Sequence, residues 1–149
     1  MELSARQVAF LEFARGLLRL DRSVHEVIDR AVATELGLRA RQVFVLAALE
    51  RGARHPGAVA RRLNLPAPSV TRTVEGLVAA GHVTRRRSTG DRRRVELALT
   101  DRGQALLARA RGTLSQGLAD AWPHLDTARV ADLAEGLAEM VDAREDPVG

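Results

Sequence analysis

The chain has 149 residues, 46% of them hydrophobic and only 3% aromatic, enough for one ordinary domain around an aliphatic core. It contains no cysteine, which excludes a disulfide framework, a thiolate metal site and thiol-based sensing. The net charge is +4 and all 23 basic residues are arginine, so their placement carries more information than their number.

Ser4 followed by Gln7 is a capping-box pattern, and Val8, Leu11, Leu18, Val24, Val27 and Ile28 continue at helical spacing. They predict a long first helix over about 5–35, closed by Gly37 as a C-terminal cap, with Gly16 and residues 21–23 as places for a bend or split. Glu12 and Arg15 interrupt its first apolar stretch, so no signal peptide is expected. No run of about 18 apolar residues is present to span a bilayer, and the chain reads as soluble and cytoplasmic. A second helix over 40–50 places Val43, Leu46, Ala47 and Leu49 inward, and 51–57 reads as a turn. Two short helices follow, over 58–63 and from about Pro68 to 80. They are joined at Asn64, which tolerates a left-handed conformation, and the second is stopped by Gly81. Two helices joined so tightly form a helix-turn-helix.

After Gly81 the apolar period changes from 3.6 to 2. Val83 begins one strand; Val95, Leu97 and Leu99 alternate with Glu96 and Ala98 in the next, predicting one buried face. Residues 88–91 supply turn chemistry. Thr100 caps a helix running to about 121, with Asp101 in its first turn. Trp122 and Pro123 break it, and a last helix over 127–143 aligns Val130, Leu133, Leu137, Met140 and Val141. The expected fold is mainly α with a small β-wing: a winged helix-turn-helix flanked by N- and C-terminal helices. The flanking helices carry more apolar face than so small a domain needs, and would bury it on each other or on a second subunit.

The charge is uneven. Residues 51–100 hold eleven arginines against three acids, a net of +8, while the remainder is −4. A basic middle between acidic flanks is a localised electrostatic footprint. On the helix from Pro68, Val70, Val74 and Leu77 share the inward face; Pro68, Arg72 and Gly76 lie opposite, flanked by Ser69 and Thr71. A small exterior with one arginine suits a major groove: Arg72 could pair with guanine O6 and N7, and Ser69 and Thr71 with base edges or phosphate. In the hairpin, Arg85, Arg86, Arg87, Arg92, Arg93 and Arg94 crowd around a single carboxylate, Asp91. Arginines directly across a strand pair repel, and a duplex backbone would relieve that repulsion and release counterions. An arginine at the tip could enter a minor groove, oriented by Asp91 through a charge-assisted pair. Arg61, Arg62, Arg86 and Arg87 are the expected phosphate contacts.

The run LPAPSVTRTVEGLVAAGHVTRRRSTGDRRRVELALTDRG, residues 65–103, resembles the MarR family of bacterial transcription regulators. The matching elements are Pro68-Ser-Val-Thr-Arg72, then Leu77 and Gly81, then Val83 and Arg85, then Asp91-Arg-Arg93, and finally Leu99-Thr-Asp-Arg-Gly103. The resemblance implies a homodimer joined through helices at both termini, with two winged helices on a pseudo-palindrome of double-stranded DNA. Half-sites would lie about 10 bp apart. It makes Asp91 and Arg93 the wing signature, and residues 1–37 and 101–149 a dimerisation region around a DNA-binding lobe at 38–100. It also implies a repressor more often than an activator, and release by a small, often aromatic acid bound between dimer region and winged helix. His25, Arg39 and Trp122 are candidates for such a pocket.

Other readings remain. His25 and Asp29 stand four apart on one helix, and His124 and Asp126 near the last loop, a weak pattern for a metal-responsive regulator. The first pair also fits a local surface contact. A winged helix can serve as a protein-interaction module without sequence-specific DNA binding. No serine has a nucleophile setting and no Gly-rich loop cradles phosphate, so neither an enzyme nor a cofactor is expected.

Overall fold

The structure, a computed structural model, describes residues 3–87 and 95–145. Its elements are α1 (Ala5–Leu36), α2 (Ala40–Glu50), α3 (Pro56–Leu63), α4 (Ala67–Ala79), β1 (Val83–Arg87), β2 (Val95–Leu99), α5 (Asp101–Ala121) and α6 (Thr127–Glu145). The mainly helical fold with a two-stranded antiparallel wing is the one expected. The chain divides into two units, residues 1–118 and 119–149.

Helix α1 starts where the capping box places it: Ser4 Oγ accepts the Gln7 N–H, and Gln7 Oε1 accepts the Ser4 N–H at 2.8 Å. It ends on Gly37 at φ +64°, a left-handed cap that a side chain would strain. No split occurs at Gly16 or 21–23, and the helix is continuous from Ala5 to Leu36. Ser23 turns its hydroxyl back to the Arg19 carbonyl, a bond compatible with helical geometry. Helix α3 starts two residues earlier than its apolar pattern indicates, because Pro56 occupies the first turn, where its missing N–H has no helical partner to lose. Asn64 takes the left-handed conformation, φ 50° and ψ 46°, and with Leu65 and Pro66 makes the three-residue link into α4.

The core of the first unit is aliphatic, as the scarcity of aromatics requires. Val32, Val45, Leu46, Leu49, Val59, Val70, Val74, Leu77 and Leu107 are fully buried, and no polar or charged residue among those described is buried with them. Val32 from α1 and Leu107 from α5 enter the same cluster as the helix-turn-helix, so the long helices and the basic lobe share one core.

Strands β1 and β2 pair Val83 with Leu99, Thr84 with Ala98, Arg85 with Leu97, Arg86 with Glu96 and Arg87 with Val95. One expectation changes here. Val95 is 49% exposed while Leu97 is buried at 2%, because β2 leaves the core towards the end that pairs with Arg87. None of the three described wing arginines lies across from another arginine: Arg86 pairs with Glu96, and Arg85 and Arg87 with apolar residues. The segment before α3 docks on the wing: Leu97 N–H donates to the Arg54 carbonyl at 2.7 Å, and His55 Nδ1 lies 3.1 Å from the Val95 carbonyl oxygen.

The start of α2 is capped from outside. Arg39 holds the N-cap position without a side-chain cap bond, and Asp29 of α1 accepts the Ala40 N–H at 2.7 Å. Replacing Asp29 by alanine should cost about 1 kcal/mol, as loss of an N-cap acceptor does, whereas Asn should retain most of it. Denaturant melts of the two variants check this. Glu50 and Arg111 form an ion pair between α2 and α5, and the hydrogen bond from the guanidinium holds Glu50 below its ordinary pKa.

In the second unit, Asp126 Oδ1 accepts the Arg129 N–H at 2.8 Å at the start of α6. Val130, Leu133, Leu137, Met140 and Val141 are all exposed along that helix.

Candidate nucleic-acid interface

Helix α4 buries Val70, Val74 and Leu77 against α2 and α3 and leaves Pro68, Arg72 and Gly76 exposed on the far side. Its hydroxyls are less free than the sequence suggests. Thr71 Oγ1 donates to the Ala67 carbonyl at 3.0 Å, so towards a ligand it can only accept. Thr73 Oγ1 donates likewise to the Ser69 carbonyl. Ser69 is half-buried, and its Oγ accepts from Arg41 Nη1 at 2.6 Å. Arg41, in the first turn of α2, was missed by sequence reasoning. A charge count starting at Arg51 leaves Arg39 and Arg41 on the acidic side of the boundary, although the fold brings both beside α4.

Of the expected phosphate contacts, Arg61 and Arg62 are exposed on α3, and Arg62 Nη1 donates to the Arg51 carbonyl at 3.0 Å. One guanidinium nitrogen of Arg62 therefore ties α3 to the preceding turn, leaving further donors. Arg86 and Arg87 are exposed on β1. Asp91, Arg92, Arg93 and Arg94 lie outside the described residues.

A cavity of about 470 Å³ opens beside α4, lined by His25, Asp29, Arg39, Arg41, Phe44 and Arg72 among others. Two of the candidate pocket residues, His25 and Arg39, are therefore at this cavity, while Trp122 belongs to the second unit. The expected contact between His25 and Asp29 does not form. His25 Nδ1 lies 2.9 Å from the Asp21 carbonyl and 3.3 Å from its carboxylate, its ring meets Phe44 edge-on, and Asp29 serves the Ala40 N–H. Asp126 is likewise engaged in capping α6. Among the described residues, no three His, Asp or Glu side chains gather as a metal site.

The wing is joined to α4 by the segment that follows β2. Thr100 Oγ1 donates to the Gly81 carbonyl at 2.7 Å and accepts the Gly103 N–H at 3.0 Å, while Thr100 N–H donates to the His82 carbonyl. One threonine thus caps α5 and holds the turn after α4 in place.

An exposed helix of small residues around one arginine, seated in a helix-turn-helix and followed by an arginine-bearing hairpin, defines a winged helix-turn-helix protein. The model of the MarR family matches residues 36–94, which hold the helix-turn-helix and the first wing strand. Members of that family are transcription regulators and not enzymes. No curated protein matches the sequence. Among solved structures, the transcriptional regulator BldR from Sulfolobus solfataricus is similar at 21% identity, covering 95% of this chain and 99% of its own, with a TM-score of 0.81. Wild-type MarR from E. coli, in its apo form, shares 22% identity over 85% of this chain and 95% of its own, TM-score 0.75; a cysteine-to-serine mutant of that protein has been solved with operator DNA. BpsR of Bordetella bronchiseptica, whose DNA binding is regulated by 6-hydroxynicotinic acid, shares 21% identity over 87% and 98%, TM-score 0.71. At these identities the likeness is one of fold. Among the described residues, no helix is long and apolar enough to cross a membrane.

Proposed function

We propose that this chain is a cytoplasmic, homodimeric, sequence-specific regulator of transcription that binds a pseudo-palindromic duplex site, as a repressor. The observation that carries this reading is the exposed face of α4, where Arg72 stands between Pro68 and Gly76 and nothing bulky shields it. Arg72 reads a base edge, with Thr71 accepting beside it. Arg61, Arg62, Arg86 and Arg87 hold phosphates, and Arg93, set by Asp91 and flanked by Arg92 and Arg94, enters the adjacent minor groove. Residues 38–100 are the DNA-binding lobe, and 1–37 with 101–149 the dimerisation region. The apolar residues of α1 support a dimer: Phe10, Phe13, Leu17, Leu18 and Leu20 are exposed, Leu18 at 74%. Apolar surface on this scale is a mark of an interface.

Three guanidiniums and Phe44 at the cavity beside α4 suit a small aromatic acid, which would compete for Arg72 and release DNA. The test selects bound fragments from random duplex DNA at moderate salt, measures the mass in solution at micromolar concentration, and screens small acids for release. No retention of any duplex would favour a protein-interaction module instead, and a monomer would overturn the dimer.

A further inference from the structure

We propose that Arg41 is a further DNA-contacting residue, a phosphate clamp held in position by Ser69 of the recognition helix; this rests on the DNA-binding reading above. The bond between them joins residues 28 apart in sequence and places the Arg41 guanidinium at the first turn of α4. Ser69 and Arg72 are i,i+3 neighbours, so Arg41 and Arg72 present their charges on adjacent parts of one surface. Arg39 lines the same concavity. The carboxylate there, Asp29, already accepts the Ala40 N–H, and among the described residues no carboxylate forms an ion pair with Arg41.

The choice of partner is informative. A hydroxyl orients a guanidinium without neutralising it, so the positive charge stays available to an anion. Arg41 has five N–H donors and commits one nitrogen to Ser69; its side chain is otherwise exposed. Ser69 in turn accepts from Arg41 and keeps its own O–H, which can donate to the same phosphate oxygen. Three guanidiniums line this concavity against one carboxylate, Asp29, and the excess positive charge is relieved by a backbone phosphate at the groove edge. Ser69 therefore acts on DNA through Arg41 as a positioning residue, which differs from reading a base itself.

A double-mutant cycle decides this. Wild type, Arg41→Ala, Ser69→Ala and the double variant are titrated against matched and scrambled duplexes over about 50–200 mM salt. Arg41→Ala should weaken both duplexes by the same factor and lower the salt slope by about 0.9, the value of one phosphate contact. Its melting temperature should stay that of wild type, and Arg41→Lys should restore the slope. Ser69→Ala should show part of the same loss and add nothing in the Arg41→Ala background. If wild type binds but Arg41→Ala leaves affinity and slope unchanged, the clamp is wrong. It is equally wrong if Ser69→Ala alters sequence preference additively with Arg41→Ala. If wild type retains no duplex at all, the DNA-binding reading falls and the clamp with it.

Discussion

Gly103→Ala should destabilise the protein at the upper end of about 1–3 kcal/mol, the range for forcing an atom into a filled space. A Cβ at this position would stand 2.0 Å from the His82 carbonyl oxygen and 3.0 Å from its carbon. Both atoms are backbone, so no rotamer change clears the way. The same carbonyl accepts the Thr100 N–H at 3.1 Å, and pushing it aside breaks the junction that holds the turn after α4 against the start of α5. For a chain of this length each kcal/mol is about 2–4 °C of melting temperature. Gly112→Ala on the same helix is the matched control. A Cβ there meets nothing within 4 Å, and removing a mid-helix glycine should stabilise by about 0.5–1 kcal/mol. Thermal melts of the two variants should therefore move in opposite directions; equal shifts would mean that the close approach at His82 is not what selects glycine.

Arg72→Ala should remove sequence discrimination more than it removes affinity. If its guanidinium pairs bidentately with guanine, the loss is about 1–3 kcal/mol on the matched duplex and little on a scrambled one. Arg86→Ala should behave differently, weakening both duplexes alike and flattening the salt slope by about one unit. Arg86 is exposed on β1, across from Glu96 in the strand register. Competition binding with matched and scrambled duplexes separates the two. If both variants lose the same factor on both duplexes, the division between base reader and phosphate contact is wrong.

Much of this chain was legible because the deciding interactions are local. The Ser4–Gln7 box, the left-handed Gly37 and Asn64, and Thr100 at the head of α5 all act within about four residues. The inward face of α4 follows from helical periodicity alone, and Val70, Val74 and Leu77 are buried as it requires. Where pattern reading failed, the cause was an end effect or a partner out of view. Val95 keeps the alternation of a buried strand residue but lies beyond the part of the wing that the core covers. His25 and Asp29 share a helix face yet turn to Asp21 and to the Ala40 N–H.

The order of elements, the caps at Ser4, Gly37, Asn64 and Thr100, the inward face of α4 and the concentration of arginine in the middle of the chain were all set by the sequence, since capping and periodicity are encoded in neighbouring residues. Only the tertiary structure decided which groups meet across the chain: Asp29 with Ala40, Arg41 with Ser69, Glu50 with Arg111, Arg86 opposite Glu96, and Gly103 under the His82 carbonyl. Those contacts depend on how helices stack and how a hairpin registers, which a shared core selects and no local spacing records. That is why Arg72 could be picked out from the helix alone, whereas Arg41 became visible only once α2 was laid against it.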